Sequence, residues 1–142
     1  MPDVGIHRKG EVDFNSLLEK LRRELGGSVG AIGCFIGVVR GISKEGEEIK
    51  SLRYEHSDEA VGKLEEIASD VERSPDISRV MIHHVIDKLK PGEDAIYVLV
   101  AGKRRGEMFK ALPKIMNRIK VEVPIWKKEV TETKEYWINE VG

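Results

Sequence analysis

Three lysines crowd one of the most apolar segments of the chain. In KVEVPIWKKEV, residues 120–130, Lys120, Lys127 and Lys128 stand among Val121, Val123, Ile125 and Trp126, and Pro124 fixes the backbone between them. Two kinds of chemistry suit that pattern. A lysine that loses water at a pocket wall gives up its proton more readily and serves as base or nucleophile. Lysines that keep their charge gather round an anion. Two ordinary readings compete with these. A lysine ending an apolar stripe snorkels, its stem packed and its ammonium in water, and an edge strand carries lysines that discourage pairing with other chains.

Other charged residues sit where binding groups collect. Arg40 ends the glycine-spotted run SVGAIGCFIGVVRG, on the face of Ile32, Cys34, Ile36 and Val38. Gly33 and Gly37 on the opposite face leave room for a backbone or a ligand. GKRRGE, residues 102–107, puts Arg104 and Arg105 just ahead of a helical pattern, where guanidinium groups and a helix N-terminus suit phosphate. The glycine spacing of a P-loop is missing there, and a solvated loop explains the run as well. His83 and His84 are neighbours in an extended run and face opposite ways, so they do not share a metal, and no metal site is expected. Cys34 reads as a small buried side chain rather than a nucleophile.

The totals narrow the function classes. A chain of 142 residues suits a single domain over 1–142 with a real core. Lys and Arg total 24 against 25 Asp and Glu, so any anion site is local and a general nucleic-acid coat is disfavoured. One cysteine forms no internal disulfide. The start lacks the apolar core of a signal peptide and no run of apolar residues spans a membrane, so the expectation is a cytoplasmic protein.

The elements that must position these residues follow from periodicity. Residues 13–25 place Phe14, Leu17, Leu18, Leu21 and Leu25 at helical spacing, stopped by Gly26 and Gly27. A second helix begins at Asp58 and carries Val61, Leu64, Ile67, Ala68 and Val71 on one side. A third, residues 106–120, stripes Phe109, Leu112, Ile115, Met116 and Ile119, with Lys120 inside the stripe and Pro113 predicting a kink or restart. Lys110, Lys114 and Arg118 fall on its solvated side. Strand patterns cover 28–40, 49–57, 77–86, 94–102 and the lysine-rich segment. Helices interrupting mostly sequential strands predict the α+β class.

Several spaced stretches also resemble one family. FIGVVR (35–40), LRYEH (52–56), IHHVIDKLKPGE (82–93), AIYVLVAGKRR (95–105) and IMNRIKVEVPIWKKE (115–129) occur in one order over nearly the whole chain. They are similar to the large, catalytic subunits of molybdopterin synthase, the MoaE family. The resemblance implies an α/β hammerhead-like fold with about three helices on antiparallel sheet. It implies a sulfurtransferase that converts cyclic pyranopterin monophosphate into molybdopterin by installing a dithiolene, with no cofactor of its own. The sulfur arrives as a thiocarboxylate on the C-terminal glycine of a small ubiquitin-like subunit. Large subunits of the family form a homodimer within a heterotetramer, and no nucleic acid or membrane takes part.

Residue by residue, the resemblance assigns catalysis to Lys120 and Lys127. It assigns substrate contact to Val38, Val39, Arg40, Lys128 and Glu129, and to Arg104 and Arg105 acting from the opposite protomer. Phe35 and Met116 would wall the pocket. Arg104 departs from the histidine usual at its position, so a permanent cation stands where a proton carrier would be. Asp87 departs from a usual glycine. Two alternatives remain at this point: a noncatalytic phosphate or RNA binder, and a purely structural partner of a ubiquitin-like protein.

Overall fold

The most apolar run of the sequence becomes the strand around which the rest is laid. The computed structural model describes residues 2–138. In chain order the elements are β1 (Asp3–His7), α1 (Phe14–Glu24), β2 (Ala31–Val38), β3 (Ile49–His56), α2 (Ala60–Glu72), β4 (Ile77–Val85), β5 (Lys88–Leu89), β6 (Asp94–Gly102), α3 (Arg105–Glu122), β7 (Ile125–Thr131) and β8 (Glu135–Ile138). They build two four-stranded sheets, β1-β4-β6-β2 and β5-β3-β7-β8. The class is α+β, with three helices on largely antiparallel sheets.

β6 reads as an unbroken apolar run because both of its faces are covered. Ile96, Val98 and Val100 pack under α2 and α3, together with Val80 and Ile82 of β4. Tyr97, Leu99 and Ala101 point the other way, against Leu17 and Leu21 of α1. Helix α1 starts where expected because Asp13 caps it, accepting a hydrogen bond from the Ser16 N–H at 2.9 Å. A smaller cluster of Val39, Leu52, Val85, Leu89 and Ala95 ties the second sheet to the first.

β1 is an element that periodicity gave no sign of. It pairs in parallel with β4, the one parallel pairing among the described strands. Its sequence, DVGIH, is too short and polar to stand out, and long-range polar contacts hold it. His83 Nε2–H donates to Asp3 Oδ1 at 2.8 Å, and His7 Nε2–H donates to the remaining His83 nitrogen, Nδ1, at 2.8 Å. Lys20 closes the chain at 2.6 Å from Asp3 Oδ2.

Four local expectations change. Of the kink or restart expected at Pro113, the restart does not occur, and α3 runs as one helix of 18 residues. The carbonyl that loses its partner belongs to Phe109, an exposed residue. The buried line of α3 is Met108, Ala111, Ile115 and Ile119, rotated from the expected stripe so that Phe109 lies outside it. Arg118 is not a solvated residue: it bridges Asp70 of α2 at 2.9 Å and Glu122 at 2.7 Å, joining the two helices. Cys34 is exposed, because α1 covers β6 but reaches only Ile32 on the edge strand β2.

Gly33 is spent on packing, not on a ligand. A Cβ there would run into Met108 and lie 3.2 Å from Leu112 Cδ1, so its absence lets α3 settle onto β2. Gly33→Ala is expected to lower stability by about 1–3 kcal/mol in denaturant unfolding. Gly26→Ala, which meets nothing within 4 Å, serves as the control and should change it little.

Candidate active site

One turn of backbone brings the lysine-rich segment together. Pro124 disfavours helix at the residue before it. Val123 accordingly leaves the helical region, at φ −90 and ψ 124, and caps α3 by bonding Ile119 O. The Pro124 carbonyl accepts from Ser57 N–H at 3.2 Å, which anchors the turn to the end of β3. Lys120 in the last turn of α3 and Lys127 in β7 thus flank a single bend.

β7 is an interior strand between β3 and β8, so the edge-strand reading of its lysines fails. Its faces differ as alternation requires. Trp126 and Lys128 face outward, where Lys128 bridges Glu135 at 2.6 Å and sits 5.2 Å from the Trp137 ring. Ile125 and Lys127 face inward, and Lys127 lies opposite Tyr54 in the β3 register.

The inward side opens on a cavity of about 710 Å³. Arg40, Lys44, Lys120 and Lys127 line it, and among the described residues no carboxylate does. The walls are apolar: Phe35, Ile36 and Val38 from β2, Met116, Ile119 and Val123 from the end of α3, Ala95 and Ile96 from β6, Ile125 and Ile138. Tyr54 and His84 complete it, their rings meeting edge to face at 4.9 Å. A second cavity of about 840 Å³ lies beyond Tyr54, but its rim mixes Arg8, Arg53 and Lys88 with Glu11, Glu55, Asp58 and Asp87. The described charged residues lining the first are all basic.

Of the residues singled out from sequence, Val38, Arg40, Lys120, Lys127, Phe35 and Met116 line this cavity, and five others do not. Val39 is buried the opposite way, its backbone tied to Glu93 O and Gly92 N–H at 2.9 Å each, which is what holds Arg40 at the mouth. Lys128 is on the outer face. Glu129 is buried and accepts a 2.6 Å hydrogen bond from the Tyr136 hydroxyl. Arg104 and Arg105 stand at the far end of α3; fifteen residues at 1.5 Å each separate Arg105 from Lys120 by about 22 Å.

Lys44, Tyr54 and His84 were not singled out from the sequence. Lys44 is a loop residue, and Tyr54 and His84 have the look of ordinary strand residues. Tyr54 is mostly buried, which pushes its hydroxyl up to about 12. For His84 the signal lies in the pair: adjacent histidines in a strand point apart, which rules out a shared metal and also turns one of them to the cavity side.

This geometry belongs with a known family. The family model described as MoaE protein matches residues 7–122. The chain belongs to the MoaE family. A molybdopterin synthase catalytic subunit from Pyrococcus abyssi is 38% identical over 138 residues, covering 96% of this chain and 90% of that protein. One from Pasteurella multocida is 38% identical over 113 residues, covering 79% and 75%. The crystal structure of molybdopterin synthase from Staphylococcus aureus superposes with a TM-score of 0.86 at 27% identity, covering 99% of each chain. A complex of subunits 1 and 2 of the molybdopterin-converting factor from Helicobacter pylori shares the fold, with a TM-score of 0.77 at 19% identity over 96% and 90%. Membership in MoaE carries the coarse activity: a catalytic subunit of molybdopterin synthase, an enzyme of molybdenum cofactor biosynthesis. Among the described residues no helix is long and apolar enough to cross a membrane.

His84 makes part of this MoaE site sensitive to acid. Burial is the main cause that holds its imidazole down at about 4, well below the ordinary 6.5, and the charge on nearby Lys127 contributes. A histidine depressed on folding favours the native state above its unfolded value, and that preference is lost as pH falls toward the folded one. Between about pH 6.5 and pH 4 the native state should therefore lose about 3 kcal/mol through this residue. Urea titrations across that window, on the wild type and His84→Gln, check it: the variant should show a shallower fall.

Proposed function

We propose that this subunit moves sulfur from the thiocarboxylated C-terminal glycine of a small ubiquitin-like subunit onto cyclic pyranopterin monophosphate, forming the dithiolene of molybdopterin. One observation carries the reading: four cations from separate parts of the chain, Arg40, Lys44, Lys120 and Lys127, line one cavity. Both reactants are anions. A phosphate-bearing pterin and a thiocarboxylate repel one another unless fixed positive charge offsets them. Once tail and substrate fill the cavity, its apolar residues help exclude water, which strengthens each attraction.

Roles follow from position. Arg40 and Lys44 take the phosphate, and the guanidinium gives two parallel hydrogen bonds. Lys127, on the inner face of β7, holds negative charge as it develops. Lys120 exchanges protons with the reacting centre or bonds transiently to the acyl carbon. It is exposed in the single chain, so the arriving tail and substrate complete its desolvation. The donor sulfur is already activated, so the transfer calls on no cofactor. The two-subunit complex from Helicobacter pylori supports a partner docked on this family's fold.

Arg104 and Arg105, too distant to serve the cavity of their own chain, act on that of a second copy. A homodimer with one small subunit at each far end, a heterotetramer, satisfies this. Arg104 stays charged and does no acid–base work.

Reconstitution with the thiocarboxylated small subunit and the cyclic precursor, followed by mass detection of the dithiolene product, tests the reading. Lys120→Ala should abolish product, and a normal rate would overturn the assignment. Lys120→Arg should fail as well, because a guanidinium does not become neutral, whereas Lys127→Arg should keep measurable activity.

The shared site has its own test. Lys120→Ala and Arg105→Ala proteins, each inactive alone, should recover about a quarter of wild-type activity when mixed and allowed to exchange subunits, since each hybrid dimer regains one intact cavity. Absence of recovery despite exchange would place each site within a single chain.

A further inference from the structure

His84 is buried to 6% exposure, lines the candidate cavity, and has no role in the sulfur-transfer scheme above. Its hydrogen bonding fixes its tautomer. Nδ1 lies 3.1 Å from the carbonyl oxygen of Val85, which only accepts, so the proton is on Nδ1. Burial keeps the ring neutral at neutral pH. Nε2 is therefore a bare acceptor, and it has no hydrogen-bond partner among the described residues. Around it the cavity supplies Tyr54, whose ring meets the imidazole at 4.9 Å, and Lys127, in register opposite Tyr54. Among the described lining residues, every other polar side chain carries positive charge or is Tyr54. An acceptor that lines a cavity, on a ring held in place by its other nitrogen, suits a donor brought from outside.

We propose that Nε2 of His84 accepts a hydrogen bond from an N–H or O–H of the substrate's heterocycle, fixing the ring while the cations hold the phosphate. The inference rests on the pterin reading of the site and deepens it. His84 is a specificity determinant that favours a neutral ring with a donor edge; the cations alone would accept any small phosphate. Loss of the acceptor weakens precursor binding, and the lysines keep their chemistry. The effect falls on KM far more than on kcat.

Two variants and one spectroscopic measurement test it, with the full-length protein. His84→Leu keeps volume and removes the acceptor; it should raise KM for the cyclic precursor about tenfold. His84→Gln can place an amide oxygen near the position of Nε2 and should remain within about threefold of wild type. Affinity for the small subunit should be unchanged in both. In wild-type protein the ¹⁵N resonance of His84 Nε2 should start at the unprotonated, free-acceptor position and move on saturation with precursor. This readout stands even where His84→Leu does not fold. Precursor bound with the Nε2 resonance unmoved, or equal KM for His84→Leu and wild type, overturns the His84 proposal and leaves the sulfur-transfer reading intact. A wild-type protein that binds no precursor overturns both.

Discussion

Holding like charges together is the constraint on which this molecule turns. Arg40, Lys44, Lys120 and Lys127 share one cavity. Two unit charges about 8 Å apart repel by about 2 kcal/mol at an effective dielectric of about 20. Left to flexible loops, such groups would swing apart into water. The fold denies them that. Lys127 is held by a strand paired on both sides, Lys120 by the last turn of an 18-residue helix, and Arg40 by the backbone bonds of its buried neighbour Val39.

The supporting structure can be understood from that requirement. The first sheet, covered by α1 on one face and by α2 and α3 on the other, is the rigid body. Gly33 lets α3 lie close on β2, and the Arg118 bridge to Asp70 locks α3 to α2, so the helix whose last turn carries Lys120 is fixed along its length. Pro124 then converts helix into strand within one turn and delivers Lys127 to the second sheet. His84 and Tyr54 join the two sheets at the cavity floor, through a ring contact rather than a hydrogen bond.

Much of this was legible in the sequence, for reasons that also explain the gaps. β6 announced itself because a strand covered on both faces is apolar throughout, and α1 because an amphipathic stripe needs only local information. The lysine-rich segment betrayed a site because its charges contradict its burial pattern. β1 stayed hidden because what holds it is a chain of contacts from Asp3 to residues 80 positions away. The exposure of Cys34 and Phe109 depends on how far neighbouring helices reach, which periodicity does not encode. Lys44 and His84 were missed because a loop lysine and a strand histidine acquire meaning only from what the fold sets beside them. The distance between the arginine pair and Lys120 is a property of helix length, readable once the helix is known to be continuous through Pro113.

The central claim concerns binding before any bond is made. Calorimetric titration of cyclic pyranopterin monophosphate into the protein without its sulfur donor, at several salt concentrations and alongside the dephosphorylated analogue, tests it most directly. A cavity lined by four cations predicts affinity that falls as salt rises, and binding much weaker for the analogue. Affinity indifferent to salt, or equal for the two compounds, would contradict it.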